Sequence, residues 1–503
     1  MKKLFLIISA VMLLAHPQLA GQSLLLNDQP GNTAAKLNVQ TPASSLFVAG
    51  SSLPEVLDHV FDSLTSISVI KGFNAAMLLP DGTLWKRASG LAEQIPAQID
   101  LTTDHLMGMG SISKSFVSAT MLLLLEDGLL SLDDSIGQYL EPYTNVPGHT
   151  TIRQLLSHRS GINDFLNENP AMSEAWLTNL DSIWVADTIL HNYVLAPNFP
   201  VGTNWSYSNT NYLLAGRIIE HITGQPWYEV VRSRILNPYN LSHTFAYPWE
   251  SYGTQPFSHA WADFDGNGTV EDLQGLGLPD QGLFSLAGSA GCLLSTPEDL
   301  VQFSRLIYGG HLLQDSTLDE MLTDYIHDGS GFEYGLGVIS YPLAVSLENH
   351  GHDGSLIYKS LALHFPSEDM SIAVQQNDDR LDVPGSTGDP FDIFYLTLAL
   401  LDTYLNYTAP SATADLTRSF ENLMVTPNPA DELTRIDFKL ATSNHIRVTV
   451  NRIDGGTLQS TDFGWMEAGQ HQLDLNLGNI PSGIYLLSMN TSDQRIQKML
   501  VIQ

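Results

Sequence analysis

The order in which hydrophobic periodicities appear constrains this chain more than any other feature. Val56, Leu57, Val60, Phe61 and Leu64 recur at helical spacing within "SLPEVLDHVFDSLTSI". "GFNAAMLLPDGTLWKRASG" then reads as two strands around an Asp-Gly turn. Helical stretches follow at 111–127, 151–158, 209–223 and 297–308. The last has a local start signal, with Thr296 as cap, Pro297 at the first position and Asp299 three beyond the cap. "EYGLGVISYP", "SLALHFP" and "MSIAVQQN" read as late strands. Helices thus separate an early hairpin from late antiparallel strands. That order argues against alternating βαβ units and predicts an α+β domain, an antiparallel sheet flanked by helices.

The pattern changes twice more. Residues 22–50 and 406–423 are polar and mixed, and read as linkers around a main domain at 51–405. From 424 to 503, short alternating runs are split by Gly, Pro and Asn ("HIRVTVNRIDGG", "GQHQLDLNL", "GIYLLSMN"), the spacing of a small C-terminal β-sandwich. Residues 1–21 read as a secretory signal. Lys2 and Lys3 precede an apolar run from Leu4 to Ala15 too short to span a bilayer comfortably, and small residues Ala20 and Gly21 mark the cut. A signal points to an exported protein, extracellular or on the outer cell surface, with no later membrane span.

The balance of 22 Lys+Arg against 54 Asp+Glu gives a net charge of −32, which repels nucleic acid and anionic membrane surfaces. Cys292 is the single cysteine, so no intramolecular disulfide can form; its apolar setting, "GSAGCLLS", suggests a buried, inert thiol.

"GSISKSF" carries the first chemical signal. Ser111 and Lys114 are three apart, hence on one face if a helix begins at Ser111. A serine hydroxyl attacks only if a neighbour takes its proton, and a lysine can do so once burial lowers its pKa from about 10.4. The apolar run "FVSATMLLLLEDGL" supplies burial. Taken alone, the pair equally suits a helix cap beside a solvated lysine. "YSN" adds Tyr207, able to relay a proton, and Asn209, able to orient the lysine or a substrate amide. "HGHDGS" adds His352 on a strand edge and Gly354, which would let a substrate approach the backbone, so that the N–H after it could pair with that of Ser111 as an oxyanion hole.

In order along the chain, "GSISKSF", "EDGLLSLDDSI", "TIRQLLSHRSGI", "PVGTNWSYSNTNYLLAGRIIEHITG", "AGSAGCLLSTPEDLVQFSRLI", "YGLGV" and "GHDGSLIYKS" resemble the serine β-lactamase and penicillin-recognising superfamily, in its class C β-lactamase, DD-peptidase and esterase branch. The resemblance covers roughly residues 52–405. It implies the β-lactamase/transpeptidase-like fold with a mainly helical subdomain, and no cofactor. It also implies roles. Ser111 is the acylated nucleophile and Lys114 its proton acceptor; Tyr207 serves the leaving group and the deacylating water; Asn209 contacts the acyl amide. His352 and Gly354 form the third motif, and the N–H groups of Ser111 and Ser355 form the oxyanion hole. The chain departs from true β-lactamases at that third motif, where they begin with lysine. A histidine near neutral pH can be uncharged, so strong recognition of anionic β-lactams is in doubt and esters, peptides or D-amino-acid substrates are as plausible.

The C-terminal segment resembles the sorting domain of the type IX secretion system of Bacteroidetes, through "VTPNPADELTRIDF", "PSGIYLLSM" and the closing "KMLVIQ". That implies secretion machinery as a partner. Two other readings of the main domain stay open: a penicillin-binding-type surface sensor without turnover, and a zinc hydrolase using His350 and His352, which lacks a nearby third ligand. "DFDGNGTVED" places Asp263, Asp265, Asn267 and Glu271 at spacings like a calcium loop, although its twelfth position is Gln274.

Overall fold

In a computed structural model, the structure describes residues 52–263, 269–326, 332–343, 347–378, 393–408, 420–426, 430, 432–452, 457–481, 483–491 and 495–502. The secretory signal, the first linker, most of the second linker, and Asp265 and Asn267 of the acidic loop lie outside the described residues.

Helix α1 spans Leu53–Ile67 and buries Val56, Leu57, Val60, Phe61 and Leu64, the residues whose spacing predicted it. The hairpin follows as β1 (Gly72–Leu78) and β2 (Leu84–Glu93), with Gly82 at φ +83° in the connecting turn. A short β3 (Ile99–Asp100) lines the edge. The helices come next. Helix α2 spans Ser113–Glu126, α3 Asn209–Thr223 and α4 Pro297–Tyr308. The start of α4 is as its local signal predicts. Gly224 closes α3 at φ +67°, and the Thr296 side chain accepts the Asp299 N–H at the start of α4. The late strands are β4 (Glu333–Tyr334), β5 (Ile339–Ser340), β6 (His350–Ser355), β7 (Lys359–Phe365) and β8 (Met370–Gln376).

These strands form one antiparallel sheet in the order β3-β2-β1-β8-β7-β6-β5-β4. The early hairpin and the last of the late strands meet within it, where Ala75 pairs with Val374 and Met77 with Ile372. Helix α4 packs across β1, β7 and β8, and α3 packs on α2. Rings of Phe116 on α2 and Phe303 on α4 stack with centroids 3.5 Å apart, tying the helical core together. Cys292 is fully buried, and burial pushes its thiol pKa well up.

Two local expectations are refined. "EYGLGVISYP" is not one strand: it breaks into β4 and β5, because Gly337 sits at φ +76° and the Gly335 N–H bonds the Val338 carbonyl. The predicted helix at 151–158 stops at Leu156, and His158 adopts φ +59°.

The chain divides into two compact units. One holds Val69–Pro342 and the strands up to β8; the other holds α1 together with Asp389–Gln503. In the second unit, α5 (Ile393–Thr408) packs against α1. It also holds a three-stranded sheet (420–426, 433–440 and 469–476) and a four-stranded one (444–452, 457–466, 483–490 and 495–502). Alternate residues such as Ile436, Phe438, Val448, Leu475 and Leu487 from both sheets fill one core, so the alternation read from sequence forms a two-sheet module.

Candidate active site

The site is built at the start of α2. Gly110–Ile112 forms a tight 3-10 turn and the α-helix proper starts at Ser113, two residues later than the simplest reading. Gly110 is at φ +52°, a conformation that favours glycine, and it turns the chain so that Ser111 stays half-buried while Ile112 to Thr120 are fully buried. The chain thus hides every residue of the first helical turns except the one hydroxyl.

Lys114 is wholly buried, and its amine meets three oxygens: Ser111 Oγ at 2.9 Å, Asn209 Oδ1 at 2.8 Å and the Ala290 carbonyl at 2.8 Å. Burial lowers its pKa to about 7, against the opposing pull of the Asp164 and Asp353 carboxylates. A neutral amine has two N–H groups and one lone pair. Asn209 and Ala290 can only accept, so they take the two N–H groups and leave the lone pair facing the Ser111 hydroxyl. The ammonium also lies 4.8 Å from the Tyr207 ring centroid, so the charged form is not abandoned when it exists.

Asn209 is held the right way round by Asp164. Its Nδ2 donates to Asp164 Oδ2 at 2.9 Å, which turns Oδ1 towards Lys114. Asp164 also accepts from Asn167 Nδ2 and the Leu166 N–H, and burial raises its pKa. Tyr207 stands two residues before Asn209, across Ser208 at the N-cap position of α3. Among the described residues its buried hydroxyl has no partner at hydrogen-bond geometry. Burial pushes its pKa well above the ordinary phenol range, with the neighbouring Ser111 hydroxyl opposing.

Strand β6 closes the other side. Gly354 lies so close to the Ser111 turn that a Cβ there would come within 1.9 Å of the Met109 carbonyl oxygen and 2.8 Å of the Ser111 nitrogen. Reciprocally, a Cβ on Gly110 would be 2.7 Å from the Ser355 nitrogen. The amides of Ser111 and Ser355 are therefore neighbours across a contact only two glycines permit. His352 is buried beside Tyr207, with ring centroids 6.4 Å apart. Its Nε2 meets the Tyr334 hydroxyl at 3.2 Å and its Nδ1 the Asp353 carbonyl at 2.5 Å. Burial, then the Lys114 charge, drives its pKa down to about 3.

Ser111, Lys114, Tyr207, Asn209, His352, Gly354 and Ser355 therefore converge, although they come from three distant segments. Sequence reasoning missed Asp164, His158 and Tyr334. All three lie in or beside the quoted segments "SHRSGI" and "YGLGV", so the signal was present, but nothing in their spacing reveals the partner each one meets. The zinc reading loses its ligands. His350 is occupied by Ser340 Oγ on Nδ1 and Glu348 on Nε2, and both His352 nitrogens have protein partners. Among the described residues no group of three or more His, Cys, Asp or Glu is placed to hold a metal ion. Asp263 and Glu271 flank the acidic loop, with Glu271 on a strand paired to Trp261–Ala262.

Comparison with known proteins gives a family match for each of two regions of the chain. Residues 63–394 match the family model described as Beta-lactamase, and residues 424–503 match that of a Secretion system C-terminal sorting domain. Penicillin-binding protein 4 of Amycolatopsis lactamdurans is 29% identical over 262 residues, covering 51% of this chain and 64% of that protein. Among solved structures, a D-stereospecific amidohydrolase from Streptomyces sp. superposes with a TM-score of 0.56 at 29% identity, over 64% of this chain and 94% of that one. D-amino acid amidase from Ochrobactrum anthropi SV3 does so with a TM-score of 0.59 at 26% identity, over 72% and 100%. The chain spans 55%, 62% and 64% of the length of three curated relatives it matches.

Proposed function

The chain belongs to the β-lactamase family, and on that premise we propose that its domain at 51–405 is an exported serine hydrolase working through an acyl-enzyme. The observation that carries this reading is the placing of Lys114 Nζ among three oxygens, two of which, Asn209 Oδ1 and the Ala290 carbonyl, can only accept and so leave the neutral lone pair aimed at Ser111 Oγ. Ser111 Oγ attacks the substrate carbonyl as its proton passes to Lys114 Nζ. The oxyanion meets the main-chain N–H groups of Ser111 and Ser355. Collapse breaks the bond to the amine or alcohol leaving group, which takes a proton relayed through Tyr207. Water then adds to the ester by the same route in reverse, releasing the acid and restoring the Ser111 hydroxyl.

The charge around the site indicates the substrate class. His352 is uncharged, burial raises the pKa of the Asp353 carboxyl, and Lys114 is occupied as base. No fixed cation of the third motif greets a carboxylate, so amides and esters without an anion beside the scissile bond fit best. D-amino-acid amides come first because the two solved neighbours above carry those names. The C-terminal module at 424–503 supports export through the type IX route. No helix among the described residues is long and apolar enough to cross a membrane.

The test is to incubate the full chain with a D-amino-acid amide, a short-chain nitrophenyl ester and a chromogenic cephalosporin, following turnover and intact mass. The expected outcome is turnover of amide or ester, weak action on the cephalosporin, and an acyl adduct on Ser111 that Ser111→Ala abolishes while keeping its fold. Undiminished activity in Ser111→Ala would refute the assignment.

A further inference from the structure

We propose that His158 and Tyr334 are positioning residues, which hold the third-motif imidazole of His352 in its neutral Nδ1–H form through a hydrogen-bond relay of fixed direction. The direction follows from which atoms can only donate and which can only accept. At one end, the Ser208 main-chain N–H donates to His158 Nδ1 at 3.1 Å. Asn211 Nδ2 approaches the same nitrogen at 3.2 Å. Because the Ser208 N–H makes that nitrogen an acceptor, the amide presents its Nδ2 there, and its Oδ1 accepts the Ser160 hydroxyl at 2.7 Å. His158 Nδ1 is thus a bare lone pair, and its proton sits on Nε2, 3.0 Å from the Tyr334 oxygen.

The opposite end gives the same answer independently. The Asp353 carbonyl can only accept, so His352 Nδ1 must carry a proton. Between the two ends, the Tyr334 phenol accepts from His158 and donates to His352 Nε2. Tyr212, packed beside Tyr334, does not compete as a donor, because its own hydroxyl bonds the Leu156 carbonyl at 2.8 Å. His158 holds φ +59°, a left-handed conformation that costs a non-glycine residue energy and persists only where its surroundings fix it. Its ring lies 4.3 Å from that of Tyr207, so the relay wraps the phenol placed beside Ser111.

The charged and titratable groups around His352 are few. Lys114 faces it from α2 and opposes an imidazolium. His158, Tyr207 and Tyr334 face it from their own segments. The Asp353 carboxylate next to it on β6 is bound by the Tyr341 hydroxyl at 2.6 Å. The relay therefore makes His352 a neutral wall with no lone pair and no charge to offer a substrate, and it leaves proton transfer to Lys114.

This inference concerns the same site as the proposed hydrolase, but its test needs no turnover. The full chain, labelled with 15N on histidine, is followed by long-range 15N–1H correlation from pH 5 to 8, with His158→Gln and His352→Asn used to assign signals. The expected spectrum shows His352 as the Nδ1–H tautomer and His158 as the Nε2–H tautomer throughout. In Tyr334→Phe, His352 loses its donor. Its nitrogens should shift towards the charged or mixed form as pH falls, and kcat/KM should gain a second ionisation below 7 while Ser111 still acylates. His352 found as Nε2–H or charged at pH 7 in the wild type, or unmoved in Tyr334→Phe, overturns the relay. Should Tyr334→Phe not fold, the wild-type spectrum still decides. An inactive protein with the expected tautomers would refute the hydrolase reading and leave the relay standing.

Discussion

At the scale of single residues, the proposed chemistry rests on a lysine whose burial lowers its pKa to about 7. With a pKa of about 7, Lys114 loses its proton as pH rises through neutrality, so kcat/KM should climb along one limb with its midpoint near pH 7. Asp164→Asn removes a carboxylate that favours the ammonium. Lys114 should then deprotonate more readily, and the midpoint should move to lower pH, as a pH-rate profile of the variant will show. The same burial carries a stability cost. Lys114 binds its proton less tightly folded than unfolded, so the unfolded state holds more protons between pH 7 and about 10.4, and stability rises across that window. Below pH 7 the cost is present in full. Lys114→Met should therefore be inactive yet more stable at pH 7, on the order of a few kcal/mol by denaturant unfolding. The Ser111–Lys114 spacing is legible in sequence because both residues lie within one turn. Asp164 is not, since its action passes through Asn209, 45 residues away.

At the scale of elements, the site depends on how closely β6 approaches the turn that opens α2. Gly354→Ala puts a methyl carbon where the Met109 oxygen stands, and backbone on both sides must move. The expected effect is a fall in kcat of about 10²- to 10³-fold, as for loss of an oxyanion donor, accompanied by a lower Tm; steady-state kinetics and a melting curve read both. The start of α4 was legible to the residue, because Thr296 and Pro297 are local punctuation. The split of "EYGLGVISYP" into β4 and β5 was not. Its apolar run continues through the turn, and only the positive φ of Gly337 and one backbone bond interrupt it. The pairing of β1 with β8 is likewise invisible locally, since it joins residues some three hundred positions apart. It became legible only through the ordered motifs, which carry the fold with them.

At the scale of the whole molecule, a net charge of −32 sets a repulsive field for anions approaching Ser111. An anionic ester and its neutral isostere should differ in salt response. Raising ionic strength from about 0.01 M to 0.5 M should increase kcat/KM severalfold for the anion and leave the neutral ester unchanged, because screening shortens the reach of that field. The division into two units was partly legible. The alternating runs after residue 424 announce a separate module, whereas nothing in the helical repeat of α1 shows that it keeps company with α5. One further property follows from Cys292, the chain's sole sulfhydryl, sealed in the core. A second cysteine introduced at an exposed position outside the site, as in Leu276→Cys, would be the single thiol a maleimide dye could reach, so a fluorophore could be attached without a native cysteine having first been removed.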